Sequence, residues 1–368
     1  MRLRNVLAMA RKEWRHLLRD PRSLALMFFM PTMMLFLYGY AIRLDIMDAP
    51  IGILQESQDL ASNELAAHFE ASRAFQVVRR YSDRAALAAS IQKGDVWAAV
   101  VIPHDYAHDL ARGHASVQLI MDGMDANTAR LVRNYALALV NAYALSLQGG
   151  RAPVVIEGRT WFNEANESRY AIVPGVIVLV MSVVGALMTS LTIAREMESG
   201  NLVMLRTTPL SRSEFLVGKL IPYFCVGMVD VLGAIAAAVF IFEIPLRGSV
   251  MSLALVSALF LLVVMTQGAY ISLVAGNQML ASQMVQISTF LPSFLLSGVI
   301  YAIPNMPVVL QYITLIVPAR YYVALSKAIF LKGIGPLILW GDAAALMVTL
   351  AVLGTLLARR ASVLGLRP

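Results

Sequence analysis

Long apolar runs set the rhythm of this chain. A helix needs about 20 mostly apolar residues to cross a hydrocarbon core, and six stretches qualify: about 23–42, 172–194, 216–242, 251–275, 284–303 and 336–358. Ahead of the first run, Leu3, Val6, Leu7, Ala10, Trp14, Leu17 and Leu18 recur at helical i, i+3, i+4 spacing, with Arg4, Arg11, Lys12, Arg15 and Arg19 largely on the other face. A basic amphipathic helix with a tryptophan suits the headgroup plane of a bilayer. Asp20-Pro21 breaks it and turns the chain into the first span.

Two polar interruptions stand out. Residues 43–170 form one large hydrophilic block, in which short β-like runs (Ile51–Leu54, Phe75–Val78, Trp97–Ile102, Val117–Met121) alternate with helical stretches near 58–71, 83–93, 104–112 and 126–147. That alternation predicts an α/β or α+β domain. The second, AREMESGNLVMLRTTPLSRSEF between the second and third runs, is longer than a loop joining two spans requires. Its acids, base and apolar Leu202, Val203, Met204 and Leu205 predict a short amphipathic helix ending at Thr208-Pro209. Such a helix rests on headgroups or offers a knob to a partner, and the residues alone do not separate the two.

A third irregularity is apolar. Between the fifth and sixth runs, prolines 292, 304, 307 and 318 interrupt PSFLLSGVIYAIPNMPVVLQYITLIVPARYYVALSKAIFLKG. A further plain span there would put Arg359 and Arg360 outside. The expectation is instead a segment of short re-entrant helices over 304–335, allowed at membrane depth only where protein or a wet cavity covers its backbone.

Composition confirms the membrane class. Apolar residues make up 58% and charged residues 14%, with a mean hydropathy of +0.68, against about half and a quarter in soluble domains. The net charge of +7 is topological. Residues 43–170 carry 12 Lys and Arg against 15 Asp and Glu, and the excess of cations lies elsewhere, at the ends of apolar runs. With the N-terminus inside, the inner flanks hold 14 cations, from Arg2 and Arg4 through Arg22, Arg195, Arg206, Arg212 and Lys219 to Arg367. The outer loops hold Arg247, Arg320, Lys327 and Lys332. Both termini are therefore expected in the cytoplasm, and the block 43–170 outside. No cleavage site follows the first run, so it reads as an anchor and not a signal peptide. This distribution excludes nucleic-acid binding as the reading of the charge.

Catalytic signatures are absent: no phosphate loop, no H-E-x-x-H helix, no G-x-S-x-G elbow. Cys225 is single and falls in an apolar run, where a small buried hydrophobe is expected. His68, His104, His108 and His114 lie in the hydrophilic block. His104 and His108, with Asp105 and Asp109, suggest metal ligands at i and i+4, but a solvated helix start after Pro103 explains them better. Asp230 is the one deep ionisable residue in a span, a candidate for the substrate path by default. Two other classes stay open on these residues: an ion-driven carrier using Asp230, and a membrane-anchored sensor or scaffold. The first wants several buried ionisable groups, and the second wants only two spans.

The chain resembles the ABC-2 type permeases, the membrane subunits of bacterial ABC exporters, and among them the multidrug-export branch with a large extracytoplasmic domain after the first span. The likeness runs in order through ARKEWRHLLRDPRSLALMFFMPTMMLFLYGYAI, NEANESRYAIVPG, AREMESGNLVMLRTTPLSRSEFLVGKLIPY, FEIPLRGS and LPSFLLSGVIYAIPNMPVVLQYITLIVPARYYVALSKAIFLKG. It implies an α-helical polytopic membrane protein of six transmembrane helices, with an α/β-type extracytoplasmic domain between helices 1 and 2 and re-entrant helices between helices 5 and 6. Residues 195–210 would be the coupling helix that docks on a separate P-loop ATPase, through Arg195, Glu196, Glu198, Gly200, Thr208, Pro209 and Leu210. Residues 1–22 would be the connecting helix, with Lys12, Glu13, Trp14, Arg19, Asp20 and Pro21. The outer gate would involve Pro292, Leu296, Ser297, Gly298, Pro304, Pro307 and Pro318.

The same likeness implies no enzyme activity and no cofactor in this chain, with ATP and Mg in the partner ATPase. It implies a second permease subunit, identical or not, contact with membrane lipids and a periplasmic membrane-fusion adaptor on the outer domain. It places the chain in a bacterial inner membrane with residues 359–368 as a cytoplasmic tail, exporting a lipophilic or amphipathic compound. Two departures are visible. GNQMLASQMVQ, the inner link between spans four and five, has no basic residue, and Asp230 stands where an uncharged residue is expected.

Overall fold

The computed structural model describes residues 2–41, 48–122, 126–147 and 168–367. The stretches 42–47 and 148–167, which hold the junctions of the hydrophilic block and the NEANE end of one motif, lie outside them. By internal contacts the chain divides into two units, Leu44–Arg159 and the remainder, Met1–Arg43 with Thr160–Pro368.

The second unit begins with α1 (Leu3–Arg19), which stops at Asp20, and α2 (Pro21–Ala41), which starts on a proline. Proline at a first helical position loses no hydrogen bond, because that N–H has no partner in a helix anyway. The Asp20-Pro21 break thus lies where the sequence sets it. Val6, Met9, Ala10, Glu13 and Leu17 form the buried stripe of α1.

The inserted unit is an α/β sandwich around a four-stranded sheet. Its elements alternate: β1 (Ala49–Gln55), α3 (Leu60–Glu70), β2 (Phe75–Tyr81), α4 (Arg84–Lys93), β3 (Ala98–Ile102), α5 (Tyr106–Ala111), β4 (Gln118–Met121) and α6 (Ala126–Leu147). The strand order is β2-β1-β3-β4, parallel across the first three and antiparallel at β4. β3 reads AAVVI and is buried at every position, as a strand covered on both faces must be. One face packs Ile51, Ile53, Val100 and Ile102 under Leu65 and Phe69, the other Leu54, Ala99 and Val101 under Tyr81 and Leu87. Asp59 and Asp83 cap α3 and α4 by accepting backbone N–H bonds, a contribution of about 1 kcal/mol each.

The rest is helical. α7 (Ser168–Met181), a π-helical stretch (Ser182–Met188) and α8 (Thr189–Glu198) run on as one apolar helix, followed by the short α9 (Asn201–Arg206). Then come α10 (Arg212–Phe240) and α11 (Val250–Ala275). α12 (Gln278–Val285), a π turn (Gln286–Phe290) and α13 (Leu291–Leu296) again form one helix. α14 (Val308–Thr314) and α15 (Pro318–Lys327), the latter extended by a π turn to Lys332, meet at an 86° bend. α16 (Trp340–Arg360) closes the chain with a 3-10 turn, Ala361–Leu364. Among the described residues five of these helices are long and apolar enough to cross a membrane, six if the bent pair counts as one span; α2 contributes the shorter apolar stretch Met27–Tyr40. The protein is therefore a polytopic, mostly helical membrane protein.

One widened turn coincides with close packing. A Cβ on Gly268 of α11 would stand 2.3 Å from the carbonyl oxygen of Ala186, inside the first π stretch. Only glycine lets the two backbones meet there, the small-residue contact that membrane helices use.

Four expectations need correction. The link between α11 and α12 is two residues, Gly276 and Asn277, and Asn277 caps α12 by accepting from Leu280 N at 2.8 Å. Both positions of this link have other duties, Gly276 a left-handed turn at φ +74° and Asn277 the cap, and neither is basic. The fifth apolar helix accordingly spans 278–296 instead of 284–303. Pro292 does not interrupt it: the carbonyl its missing N–H would have bonded, that of Ser288, accepts from Gln267 Nε2 at 3.3 Å. Cys225 is exposed, in a row with Ile221 and Val229 on the outward face of α10. Its apolar surroundings in the sequence reflect a helix side turned away from the protein core.

Candidate functional site

Where α1, α8 and α10 converge, the protein buries three charges and half-buries a fourth. Lys219 (1% exposed) sits one and a half turns beyond Glu214 on α10, and its ammonium donates to Glu13 Oε1 at 2.7 Å, Thr192 Oγ1 at 3.3 Å and Glu196 Oε1 at 3.4 Å. Lys12 donates to Glu196 Oε1 at 2.8 Å from the half-exposed side. Thr192 in turn donates to Glu13 Oε2 at 3.3 Å and accepts from Tyr223 Oη at 3.0 Å. Two cations and two carboxylates make the cluster neutral, and every proton of Lys219 has an acceptor. Removing one of the three buried members, Lys219, Glu13 or Glu196, would strand a charge, at a cost of about 3–5 kcal/mol. The motif residues of three separate sequence segments are thus one physical object.

A second anchor lies at the start of α10, one and a half turns before Lys219. Ser211 and Glu214 form a capping box at the start of α10, with Glu214 N to Ser211 Oγ at 3.3 Å and Ser211 N to Glu214 Oε2 at 3.1 Å. The same carboxylate accepts from Asn5 Nδ2 at 2.9 Å and from the backbone N–H of Arg2. It caps one helix and holds the start of another.

The segment 195–210 is not a single helix. α8 continues through Arg195 and Glu196 to Glu198, Gly200 turns left-handed at φ +74°, and α9 restarts at Asn201. A side chain at that φ is strained by about 1–2 kcal/mol, so the glycine sets the corner. Arg206 Nε then donates to Leu364 O at 2.9 Å, and Arg212 Nε to Leu366 O at 3.0 Å, latching the C-terminal turn. Glu198 Oε2 accepts from Gln278 Nε2 at 2.9 Å, and Arg195 reaches Gln278 Oε1 at 3.4 Å and Asp20 at 3.5 Å. The loop is pinned to α1, α10, α12 and the tail.

What is left free is its apex. Leu202 is buried, but Val203 (65% exposed) and Met204 (74% exposed) stand outward. Thr207 and Thr208 turn back to the carbonyls of Met204 and Leu205, and Pro209 and the buried Leu210 lead into α10. Beside this apex lies a concavity of about 220 Å³ lined by Asn5, Ala8, Lys12, Leu205, Thr208, Pro209 and Leu210. The expected connecting and coupling residues therefore share one end of the unit, with Trp14 and Arg19 on the exposed side of α1.

The remaining candidates lie elsewhere. Pro304 falls in a 3-10 turn, Pro307 precedes α14 and Pro318 starts α15, so each proline opens a helix instead of breaking one. Arg320 Nη1 spans the 86° bend to Thr314 Oγ1 at 2.5 Å, and Lys327 Nζ donates to Gly298 O at 3.1 Å beside Leu296 and Ser297. Asp230 is half-buried in α10, and its Oδ2 has no hydrogen-bond partner. His104 precedes α5, its Nδ1 3.2 Å from Glu56 O, so it does not share a helical face with His108. Among the described residues no group of three or more His, Cys, Asp or Glu side chains comes together to hold a metal.

Reading the sequence missed Thr192, Glu214, Tyr223 and Gln278, and took Lys219 only as a flank charge. Ser211-x-x-Glu214 before an apolar run is a legible capping box. A lysine eight residues into an apolar helix also signals a buried acid, though not which one.

Comparison with known proteins settles the family. The model of the ABC-2 family transporter protein matches residues 22–359. The probable multidrug ABC transporter permease YbhS of Escherichia coli K12 is 37% identical over 343 residues, 91% of either chain. The probable multidrug ABC transporter permease YbhR of the same strain is 29% identical over 94% of this chain and 95% of its own length. The inner membrane transport permease YhhJ of that strain is 25% identical over 94% and 93%. With its apolar helices, its pinned polar loop and a family match over nearly its whole length, the chain belongs to the ABC-2 transporter family and is a permease subunit of an ABC transporter.

Proposed function

We propose that this chain forms half of an ATP-driven exporter that moves a lipophilic or amphipathic compound outward across a bacterial inner membrane. The observation that carries this reading is the pinned loop: its four anchors make the apex move as a body with α1 and the ends of α8, α10 and α12. Val203 and Met204 on that apex fit a groove on a separate P-loop ATPase, which binds the ATP and Mg this chain has no loop to hold. Arg195, Glu196, Glu198, Gly200, Thr208, Pro209 and Leu210 would transmit the motor's closure, and Lys12, Glu13 and Asp20 would carry it to α1. The N- and C-termini would be cytoplasmic and the inserted unit external, open to a membrane-fusion adaptor. The bent pair, with Ser297, Gly298 and the three prolines, would gate the outer end, and a second permease subunit would complete the path. The relatives named for multidrug transport support the substrate class.

The test is affinity purification from the native host in mild detergent. A co-purifying P-loop ATPase that is lost from the Val203→Glu/Met204→Glu variant, with the permease still folded, is the expected result. A folded assembly that carries no ATPase even after crosslinking would overturn the reading.

A further inference from the structure

After α1 has buried one stripe, two more remain on its surface. Leu3, Leu7, Trp14 and Leu18 are all exposed. At about 100° per residue they fall in one row, and Arg4, Arg11 and Arg15 fall in the row next to it, with Arg19 further round. Among the described residues these four arginines make no ion pair. The one acid of the helix, Glu13, is turned inward onto Lys219. A depression of about 400 Å³ runs between Arg11, Lys12, Arg15, His16 and Arg19, with no acid in its wall.

We propose that this outer face of α1 is a binding site for anionic phospholipid headgroups. A surface that is apolar along one row and cationic along the next needs a partner that is apolar and anionic in the same plane. The edge of a bilayer carrying anionic lipid offers both: acyl chains for the leucines and Trp14, phosphates for the arginines. α1 runs directly into α2 at Asp20-Pro21, so its C-terminal half lies at the end of an apolar helix. The flank toward Pro209, with Asn5 and Met9, adjoins this depression along Ala8 and Lys12 and is the one left for the motor. Each arginine at such a surface favours anionic over zwitterionic lipid by about fivefold. Because α1 carries Lys12 and Glu13, headgroups held here steady the buried cluster, and the coupling region becomes sensitive to the charge of the inner leaflet. This rests on the membrane placement of the chain and not on the identity of its motor.

The test uses the full chain in vesicles, with Trp97, Trp161 and Trp340 replaced by phenylalanine so that Trp14 alone emits. Brominated phosphatidylglycerol and brominated phosphatidylcholine are compared as quenchers at equal mole fraction. Quenching of Trp14 several-fold stronger by the anionic lipid, with the preference lost in Arg11→Gln/Arg15→Gln/Arg19→Gln, is expected. If that variant fails to fold, high salt applied to the unsubstituted face must remove the same preference. Equal quenching by both lipids would reduce α1 to a nonspecific anchor and overturn the proposal. Quenching by neither would mean that this face sits in water or against protein, and would overturn it too. Neither failure touches the motor reading, which co-purification tests.

Discussion

Lys219 shows how much a single side chain can be asked to hold. It is as buried as any leucine in the core, and its three donors meet acceptors on α1 and α8. A buried ion pair adds little net stability over an apolar substitute, but breaking it leaves an unpaired charge. Lys219→Met should therefore lower the unfolding free energy by about 3–5 kcal/mol, and Lys219→Met/Glu13→Leu should recover part of that loss. Thermal unfolding in detergent checks both, and a double variant no better than the single one would mean that the pair is not coupled. Gly200 gives a sharper contrast. At φ +74° an asparagine is tolerated and a valine is not. Gly200→Asn should export normally, whereas Gly200→Val should export poorly while inserting into the membrane as well as the unsubstituted chain.

Elements were legible where one period dominates. In the inserted unit every strand and helix starts within two residues of its alternation signal, though β2 runs three residues past its expected end, because β3 and the capped helices α3 and α4 satisfy propensity, pattern and packing together. The helix ends near the polar loop were less so. No periodicity announces that α8 outruns its apolar stretch to reach Glu198, or that a two-residue link suffices before α12, since both depend on partners distant in sequence. The π stretches are likewise invisible in the chain alone; two of the three lie where α11 approaches Ala186 and beside the bond from Gln267 to the carbonyl of Ser288. The cluster residues were individually visible as charges, but their convergence is a tertiary fact. The Glu198–Gln278 link allows a prediction at this scale. Both residues are exposed enough for water to compete, so Gln278→Ala should change stability by no more than about 1 kcal/mol. If the link carries motion between α8 and α12, export should nonetheless fall at unchanged binding of the ATPase; unchanged export would assign the link to packing only.

At the scale of the whole molecule, the charges are what the expected orientation rests on. Arg206 and Arg212 are fastened to the carbonyls of the C-terminal turn, and Lys12 and Lys219 are neutralised in the cluster. Much of the cation excess expected on the inner side thus does structural duty as well. The same holds at the other end, where Arg320 and Lys327 bond backbone and hydroxyl groups around the 86° bend. Orientation then rests on the cations that stay exposed, those of α1 and the end of α16. On a background of Cys225→Ala, single cysteines at the exposed positions Ser82, Ser199 and Ser362 read it directly. A membrane-impermeant maleimide added to intact cells with a permeabilised outer membrane should label Ser82→Cys at once, and Ser199→Cys and Ser362→Cys only after the inner membrane is opened. Labelling of Ser82→Cys and Ser362→Cys from the same side would require an even number of crossings between them. The bent pair would then have to cross as a span instead of dipping and returning, and the exposed arginines of α16 would lie opposite those of α1.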